Sequence, residues 1–137
     1  MDQAPIQTPY DRLGGAEGVR RLVETFYDLV ETAPEGAPLV ALHNLGNGIP
    51  HSRHAQFLFL SGFLGGPQLY AEQFHHSNVR KMHEHLQIGP VESQSWLICM
   101  DMALTKTIED KALHRQLMQT FTRVATALLT PATAPGT

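Results

Sequence analysis

Histidine is the residue type in this chain whose number and placement suggest chemistry. Seven of its eight histidines fall between His43 and His85. A neutral imidazole can offer the lone pair of one ring nitrogen to a metal ion while a carbonyl holds the N–H of the other. His83 lies on a polar stretch, residues 79–85, which is predicted to form a short helix. A lone histidine on a helix is ordinarily a surface or hydrogen-bonded core residue, so composition alone leaves His83 a candidate ligand.

Two alternatives use histidine without a large cofactor. His51 and His54 are three residues apart, and His76 could join His83 and His85 around one ion. Zinc sites are normally completed by cysteine or carboxylate ligands at set spacings, and neither group has them. A site for a bare metal ion is therefore the weaker interpretation.

Six further side chains could contact a bound molecule, and each also has an ordinary structural interpretation. Tyr27 and Trp96 lie on apolar helix faces, as core aromatic residues do. The other four are typical of solvated helix surfaces or of apolar packing: Ser52, Gln56, Phe59 and Arg80.

The composition is that of one globular domain spanning residues 1–137, with a loose arm at 1–7 and a loose tail at 130–137. The net charge is −3, and basic and acidic residues are interspersed along the chain. The sequence therefore shows no basic patch that would bind nucleic acid or an anionic membrane. No segment has the pattern of a signal peptide or a membrane span. The single cysteine, Cys99, excludes an internal disulfide framework and is expected to be a buried small residue, so a cytoplasmic location is expected.

Helical signals position these residues. Thr8-Pro9-Tyr10-Asp11 combines a capping hydroxyl, a proline in the first turn and a carboxylate three residues after the cap, and Gly14-Gly15 ends that helix. A strongly amphipathic helix follows from Val19 to about Glu31, where Pro34 stops it. Residues 44–50 are predicted to be an irregular connection.

Three more helices complete the predicted all-α fold. The run Phe57-Leu58-Phe59-Leu60 could be a buried strand, but no partner strands occur, so a buried helix over 55–64 that ends at Gly65-Gly66-Pro67 is favoured. Another helix begins at Gly89-Pro90, and the last begins at about Asp110.

Several motifs follow one another in a characteristic order. They are Tyr10-Asp11-Arg12-Leu13-Gly14-Gly15, Phe26-Tyr27, Leu60-Ser61-Gly62-Phe63-Leu64-Gly65-Gly66-Pro67, Leu69-Tyr70, Ile88-Gly89, Trp96-Leu97 and Cys99-Met100. In this combination the chain resembles the truncated haemoglobins, and more narrowly their second group, over roughly residues 9–128.

The resemblance implies a two-over-two helical sandwich that encloses haem b. In the family the proximal histidine lies thirteen residues before a pocket tryptophan and five before an apolar residue that leads into the next helix, which selects His83 over His85 and His76. The implied distal side contains Tyr27, Trp96, Gln56 and Ser52, with His43 and Phe59 against the haem and Arg80 at a propionate.

The chain also departs from the family pattern around the proximal residue. The family usually has a Gly-His-Pro turn where this chain has His75-His76-Ser77, and a Pro-Phe pair where it has Glu84-His85-Leu86-Gln87. A differently packed proximal segment is therefore expected.

Three functions remain open from the sequence. The first is binding of oxygen, carbon monoxide or nitric oxide at the haem. The second is an enzyme, a nitric oxide dioxygenase or peroxidase-like, that needs an external reductase because this chain contains no reductase domain. The third is a helical interaction module without a cofactor. A histidine such as His43 or His54 could also close the sixth coordination position.

Overall fold

The first helix begins at Thr8, as the sequence predicts. In the computed structural model, which describes residues 7–130, the Thr8 hydroxyl accepts a hydrogen bond from the Asp11 N–H at 3.2 Å, and the Asp11 carboxylate accepts one from the Thr8 N–H at 3.2 Å. This reciprocal pair satisfies two backbone donors that a helix start leaves free. Gly14, with φ of 106°, ends the helix in a left-handed conformation that glycine adopts at little cost.

Eight α-helices and one 3₁₀ turn make up the described part of the chain, and it contains no strand. The helices are α1 (Pro9–Leu13), α2 (Gly15–Thr32), α3 (Ala37–Leu45), α4 (Ile49–Phe63), α5 (Leu69–Phe74), α6 (Val79–His83), α7 (Pro90–Thr107) and α8 (Lys111–Ala127), and the 3₁₀ turn is Pro34–Gly36. The prediction of an all-α fold is confirmed.

Helix α2 is the centre of the packing. Its apolar face is completely or almost completely buried: Val19, Leu22, Val23, Phe26 and Val30. This face packs on α7 and α4, and α7 in turn packs on α8. The pairs α2/α4 and α7/α8 therefore form the two layers of a two-over-two helical sandwich, which confirms the predicted architecture.

Several predicted boundaries are wrong: α2 begins at Gly15 rather than Val19, α4 begins at Ile49 rather than Ala55, and α6 ends at His83 rather than His85. The connection predicted at 44–50 is irregular only at 46–48, because α3 continues to Leu45 and α4 already begins at Ile49. Helix α5 was not predicted, since its six residues are too few to show a period. Packing on α4 supports it instead, because the Tyr70 ring meets the Phe59 ring edge-on with centroids 6.0 Å apart.

The predicted arm and tail lie almost entirely outside the described residues, which exclude 1–6 and 131–137. Thr130, the first residue of the predicted tail, is held in place. Its N–H donates to the Ile88 carbonyl at 2.9 Å, and its hydroxyl accepts from the Ile88 N–H at 2.8 Å. The chain after α8 is therefore joined to the segment that precedes α7.

Close packing at Gly18 provides a test of the fold. A Cβ atom added there would lie 1.8 Å from the Leu13 carbonyl oxygen, so Gly18→Ala must separate α1 from α2. We expect it to lower the free energy of unfolding by about 2–3 kcal/mol, measured by urea denaturation. Gly62→Ala is the control, because a Cβ there meets only the end of the exposed Gln68 side chain; a loss of the same size in both variants would contradict this packing.

Candidate functional site

One cavity of about 260 Å³ brings the predicted site residues together. Residues from α2, α3, α4, α5, α7 and α8, and from the segment around α6, line it. All the predicted residues except Arg80 are among them: Tyr27, His43, Ser52, Gln56, Phe59, His83 and Trp96. Much of the remaining lining is apolar and includes Leu39, Leu42, Leu60, Met82, Ile88 and Val124.

His83 is positioned by the capped helix α6. The Asn78 side-chain oxygen accepts from the Lys81 N–H at 3.1 Å, which starts this helix. His83, its last residue, lies 2.8 Å through Nδ1 from the Val79 carbonyl oxygen. A carbonyl can only accept, so Nδ1 carries the proton and a neutral ring has its lone pair on Nε2. The half-buried imidazole is thus held in the tautomer that a metal ligand requires.

The other two histidines of this region are placed differently. His85 also lines the cavity, but its side chain is exposed and no hydrogen bond of the described residues fixes its ring. His76 does not line the cavity, and its Nδ1 accepts from the Asn78 N–H at 3.0 Å. Among residues 7–130 no three His, Cys, Asp or Glu side chains are grouped as for a bare metal ion. The zinc alternative therefore has no support there.

Across the cavity, Tyr27 and His43 form a hydrogen-bonded pair. The Tyr27 hydroxyl lies 3.2 Å from His43 Nε2, and His43 Nδ1 lies 2.7 Å from the Leu39 carbonyl oxygen. The carbonyl again assigns the proton to Nδ1, so Nε2 of the neutral ring is an acceptor. Burial lowers the pKa of His43 below its usual value and raises the pKa of Tyr27, which favours the neutral form of both. The Tyr27 proton can therefore be donated to His43.

Gln56 completes this group and has an unsatisfied atom. Its Oε1 lies 3.2 Å from the Tyr27 hydroxyl, while its Nε2 is buried without a hydrogen-bond partner. Rotating the amide by half a turn would pair Nε2 with Tyr27 and leave the oxygen unsatisfied instead. A buried polar group without a partner costs about 1–3 kcal/mol. An additional molecule in the cavity that hydrogen-bonds to Gln56 would remove this cost.

Trp96, Ser52 and Phe59 complete the cavity wall. The Trp96 ring packs against Phe26 and Phe121, with centroids 5.3 Å away in each case, and its indole N–H can only donate a hydrogen bond. Ser52 lies one helical turn before Gln56 on α4. Phe59 stacks on Phe63 at a centroid distance of 5.3 Å. The cavity therefore has several hydrogen-bonding groups on an otherwise apolar wall.

Arg80 lies apart from the other predicted residues. It is exposed and lines a second cavity, of about 410 Å³, between α4, α5, α8 and the start of α6. Phe59, Tyr70 and Val79 line both cavities, so the two adjoin. Sequence reasoning did not identify Tyr70 or Val79 as site residues, although Val79 lies one helical turn before His83, the spacing that a ring-to-carbonyl hydrogen bond needs.

Cys99 is completely buried, as predicted from the sequence. Burial raises the pKa of its thiol, which disfavours the nucleophilic thiolate form.

The site residues fit a haem by their chemistry. An imidazole held through Nδ1 presents its lone pair from one side, apolar side chains surround the space, and an unsatisfied amide stands on the other side. Within residues 7–130 no helix combines the length and apolar character needed to cross a membrane.

Comparison with known proteins gives consistent results. Residues 8–130 match the family model described as bacterial-like globin. The chain is 32% identical over 99 residues to the group 2 truncated haemoglobin YjbI of Bacillus subtilis (strain 168), a match that covers 72% of this chain and 70% of that protein.

Solved structures agree with this family match. The cold-adapted truncated haemoglobin of the Antarctic marine bacterium Pseudoalteromonas haloplanktis TAC125 superposes with a TM-score of 0.85 at 31% identity, covering 92% of this chain and 100% of that one. The group II 2-on-2 haemoglobin of the plant pathogen Agrobacterium tumefaciens gives a TM-score of 0.86 at 32% identity, covering 94% and 98%.

Proposed function

The chain belongs to the bacterial-like globins, as a group II truncated haemoglobin, and on this premise we propose that it holds one haem b through His83 and binds oxygen, carbon monoxide and nitric oxide beside Tyr27 and Gln56. Membership of the globins implies a haem cofactor and binding of diatomic gases in general. The identity of the haem and the role of each residue belong to the proposal.

The unsatisfied amide of Gln56 is the observation that supports ligand binding most strongly. When bound, haem supplies an iron atom with a coordination position for a diatomic ligand. In the amide orientation that leaves Nε2 without a partner in the chain, such a ligand can accept a hydrogen bond from the Gln56 N–H. The indole N–H of Trp96 is a second donor that lines the same cavity. These donors would favour ligands that carry partial negative charge.

Other residues hold the site in shape. The Val79 carbonyl fixes the His83 ring, and His43 fixes the direction of the Tyr27 hydroxyl. Phe59 provides an apolar surface for the porphyrin, and Ser52 is a small side chain at the cavity wall. We propose Arg80 as the partner of a haem propionate, since it lies three residues before His83 and beside the Phe59 wall.

Spectroscopy of the reconstituted protein tests the proposed function. The apoprotein titrated with haemin should reach saturation at one equivalent, and the ferrous form should give a shifted Soret band with carbon monoxide. A cooperative fold that shows no saturable haem uptake would contradict the proposal and favour the cofactor-free module.

An enzyme is the second candidate, favoured by the polar distal group of Tyr27, Gln56 and Trp96. Polar groups near the ligand can assist nitric oxide dioxygenation or peroxide cleavage, with electrons supplied by an external reductase in the cytoplasm. Mixing the oxygenated protein with nitric oxide should then produce nitrate and ferric haem in equal amounts. Ferric haem without nitrate would contradict dioxygenation.

A further inference from the structure

Arg53 joins the two helices that carry the distal residues. From α4 its guanidinium contacts three carboxylates of α2, at 2.8 Å from Glu24, 2.9 Å from Asp28 and 2.6 Å from Glu31. The Arg53 side chain is only 20% exposed, whereas the carboxylates are about half exposed or more. A network around one partly buried arginine holds its geometry better than an isolated surface pair.

These ion pairs lie directly beside the cavity. Arg53 follows Ser52 on α4 and precedes Gln56 by three residues, and the Arg53 guanidinium carbon is 5.7 Å from the centre of the Tyr27 ring. Tyr27 is on α2 between Glu24 and Asp28. The ion pairs therefore hold together the same short part of the α2–α4 contact in which the Tyr27 hydroxyl meets Gln56.

The start of α4 follows a short connection that contains two glycines. Gly48, the residue before α4, has φ of 85°, Gly46 lies two residues earlier, and the N–H groups of both donate to the His43 carbonyl oxygen at 3.0 Å. Asn47, His51 and Ser52 all line the cavity, and the first two are exposed. A small rotation of the first turns of α4 about this glycine-rich connection would open that side of the cavity.

We propose that Arg53 is a positioning residue that latches the start of α4 against α2 and so limits how fast ligands enter and leave the distal cavity. The latch is made of the three ion pairs described above, and the connection at 46–48 is its hinge. This inference rests on the proposed haem function for its kinetic consequence, but the helix restraint itself does not depend on a cofactor.

Flash photolysis of the carbon monoxide complex tests the latch. Arg53→Met keeps the aliphatic part of the side chain and removes the ion pairs, and we expect the bimolecular rebinding rate constant and the oxygen dissociation rate constant each to rise by about three- to tenfold. Arg53→Lys, which retains the charge but not the forked geometry, should give an intermediate value.

Arg20→Met is the matched control. Arg20 also joins α2 to α4, through its guanidinium carbon 4.0 Å from the centre of the Phe57 ring, but neither residue lines the cavity. The rate constants of Arg20→Met should stay within about twofold of those of the wild type. Equal acceleration in Arg20→Met and Arg53→Met would overturn the latch, since general loosening of the helix pair would then be sufficient.

Salt separates the ion pairs from the packing of the side chain. In about 1 M NaCl the wild-type rate constants should move toward those of Arg53→Met, while that variant should be insensitive to salt. The double variant Asp28→Asn/Glu31→Gln keeps the arginine beside Tyr27 but weakens the latch, so its two rate constants should also exceed those of the wild type. Wild-type rate constants in the double variant would overturn the proposal in favour of a direct effect of the Arg53 charge on Tyr27.

Hydrogen exchange distinguishes failure of the latch from failure of the proposed function. If the wild-type protein takes up no haem, the proposed function is wrong. The latch is then decided by amide exchange of residues 49–56, which should be faster in Arg53→Met than in Arg20→Met. Equal exchange in the two variants would overturn the latch whatever the cofactor.

Discussion

Replacing His83 with glycine is expected to remove the axial imidazole and to weaken haem retention by about 100-fold or more, a larger loss than removal of an outer hydrogen-bond partner causes. The reason is that, of His76, His83 and His85, only the His83 ring combines a lone pair on Nε2 with an Nδ1–H held by a backbone carbonyl, that of Val79. Haem transfer to an excess of apomyoglobin measures retention, and the spectrum of the ferrous form reports the axial ligand.

His85→Gly is the control for this experiment. His85 lines the same cavity, but it is exposed and its ring is not held, so the variant should keep the wild-type spectrum and retention. Added imidazole should restore the axial spectrum in His83→Gly. A wild-type spectrum in His83→Gly that disappears in His83→Gly/His85→Gly would show that His85 is the ligand.

Replacing Gln56 with leucine is expected to raise the oxygen dissociation rate constant by about tenfold or more, the effect of losing one charge-assisted hydrogen bond. Leucine has a similar volume but no donor, so it also removes the unsatisfied Nε2 of the cavity. The free energy of unfolding of the variant should therefore stay the same or rise. Stopped-flow displacement of oxygen by carbon monoxide measures the rate constant.

His43→Phe is expected to lower the oxygen dissociation rate constant, which is the opposite of the effect of Gln56→Leu. The Tyr27 proton loses its acceptor at His43, and only Gln56 Oε1 then competes with a bound ligand for it, so oxygen dissociation should slow. Ser52→Ala should have less effect than Gln56→Leu, because it leaves the Gln56 amide and its contact with the Tyr27 hydroxyl in place. Unchanged kinetics in both Gln56→Leu and His43→Phe would show that this hydrogen-bonded group does not contact the ligand.

The sequence was most informative where one local cause determines the structure. The Thr8–Asp11 cap and the period of α2 are local, and both were predicted correctly. Helix α5 depends on contacts between distant residues, such as the edge-on contact of Tyr70 with Phe59, and six residues cannot reveal it. The early start of α4 at Ile49 follows a run of glycine, asparagine and proline that is equally typical of a loop.

For the site, the resemblance to a family indicated which residues would meet, and the structure adds how they are connected. The proton positions of His43 and His83 depend on which carbonyl lies next to each ring. Glu24, Asp28 and Glu31 are spaced to fall on one face of α2, and this pattern indicates an acidic face that could bind a cation. Their shared cation is more than twenty residues away, which no local pattern identifies.

The link between Thr130 and Ile88 has a consequence for how the protein matures. Val124 and Leu128 form part of the cavity wall, and the segment after α8 closes against the residue that leads into α7. A nascent chain whose α8 is still inside the ribosome therefore has a cavity that is open along one side. We therefore expect stable acquisition of the haem that the globin family implies to follow synthesis of α8.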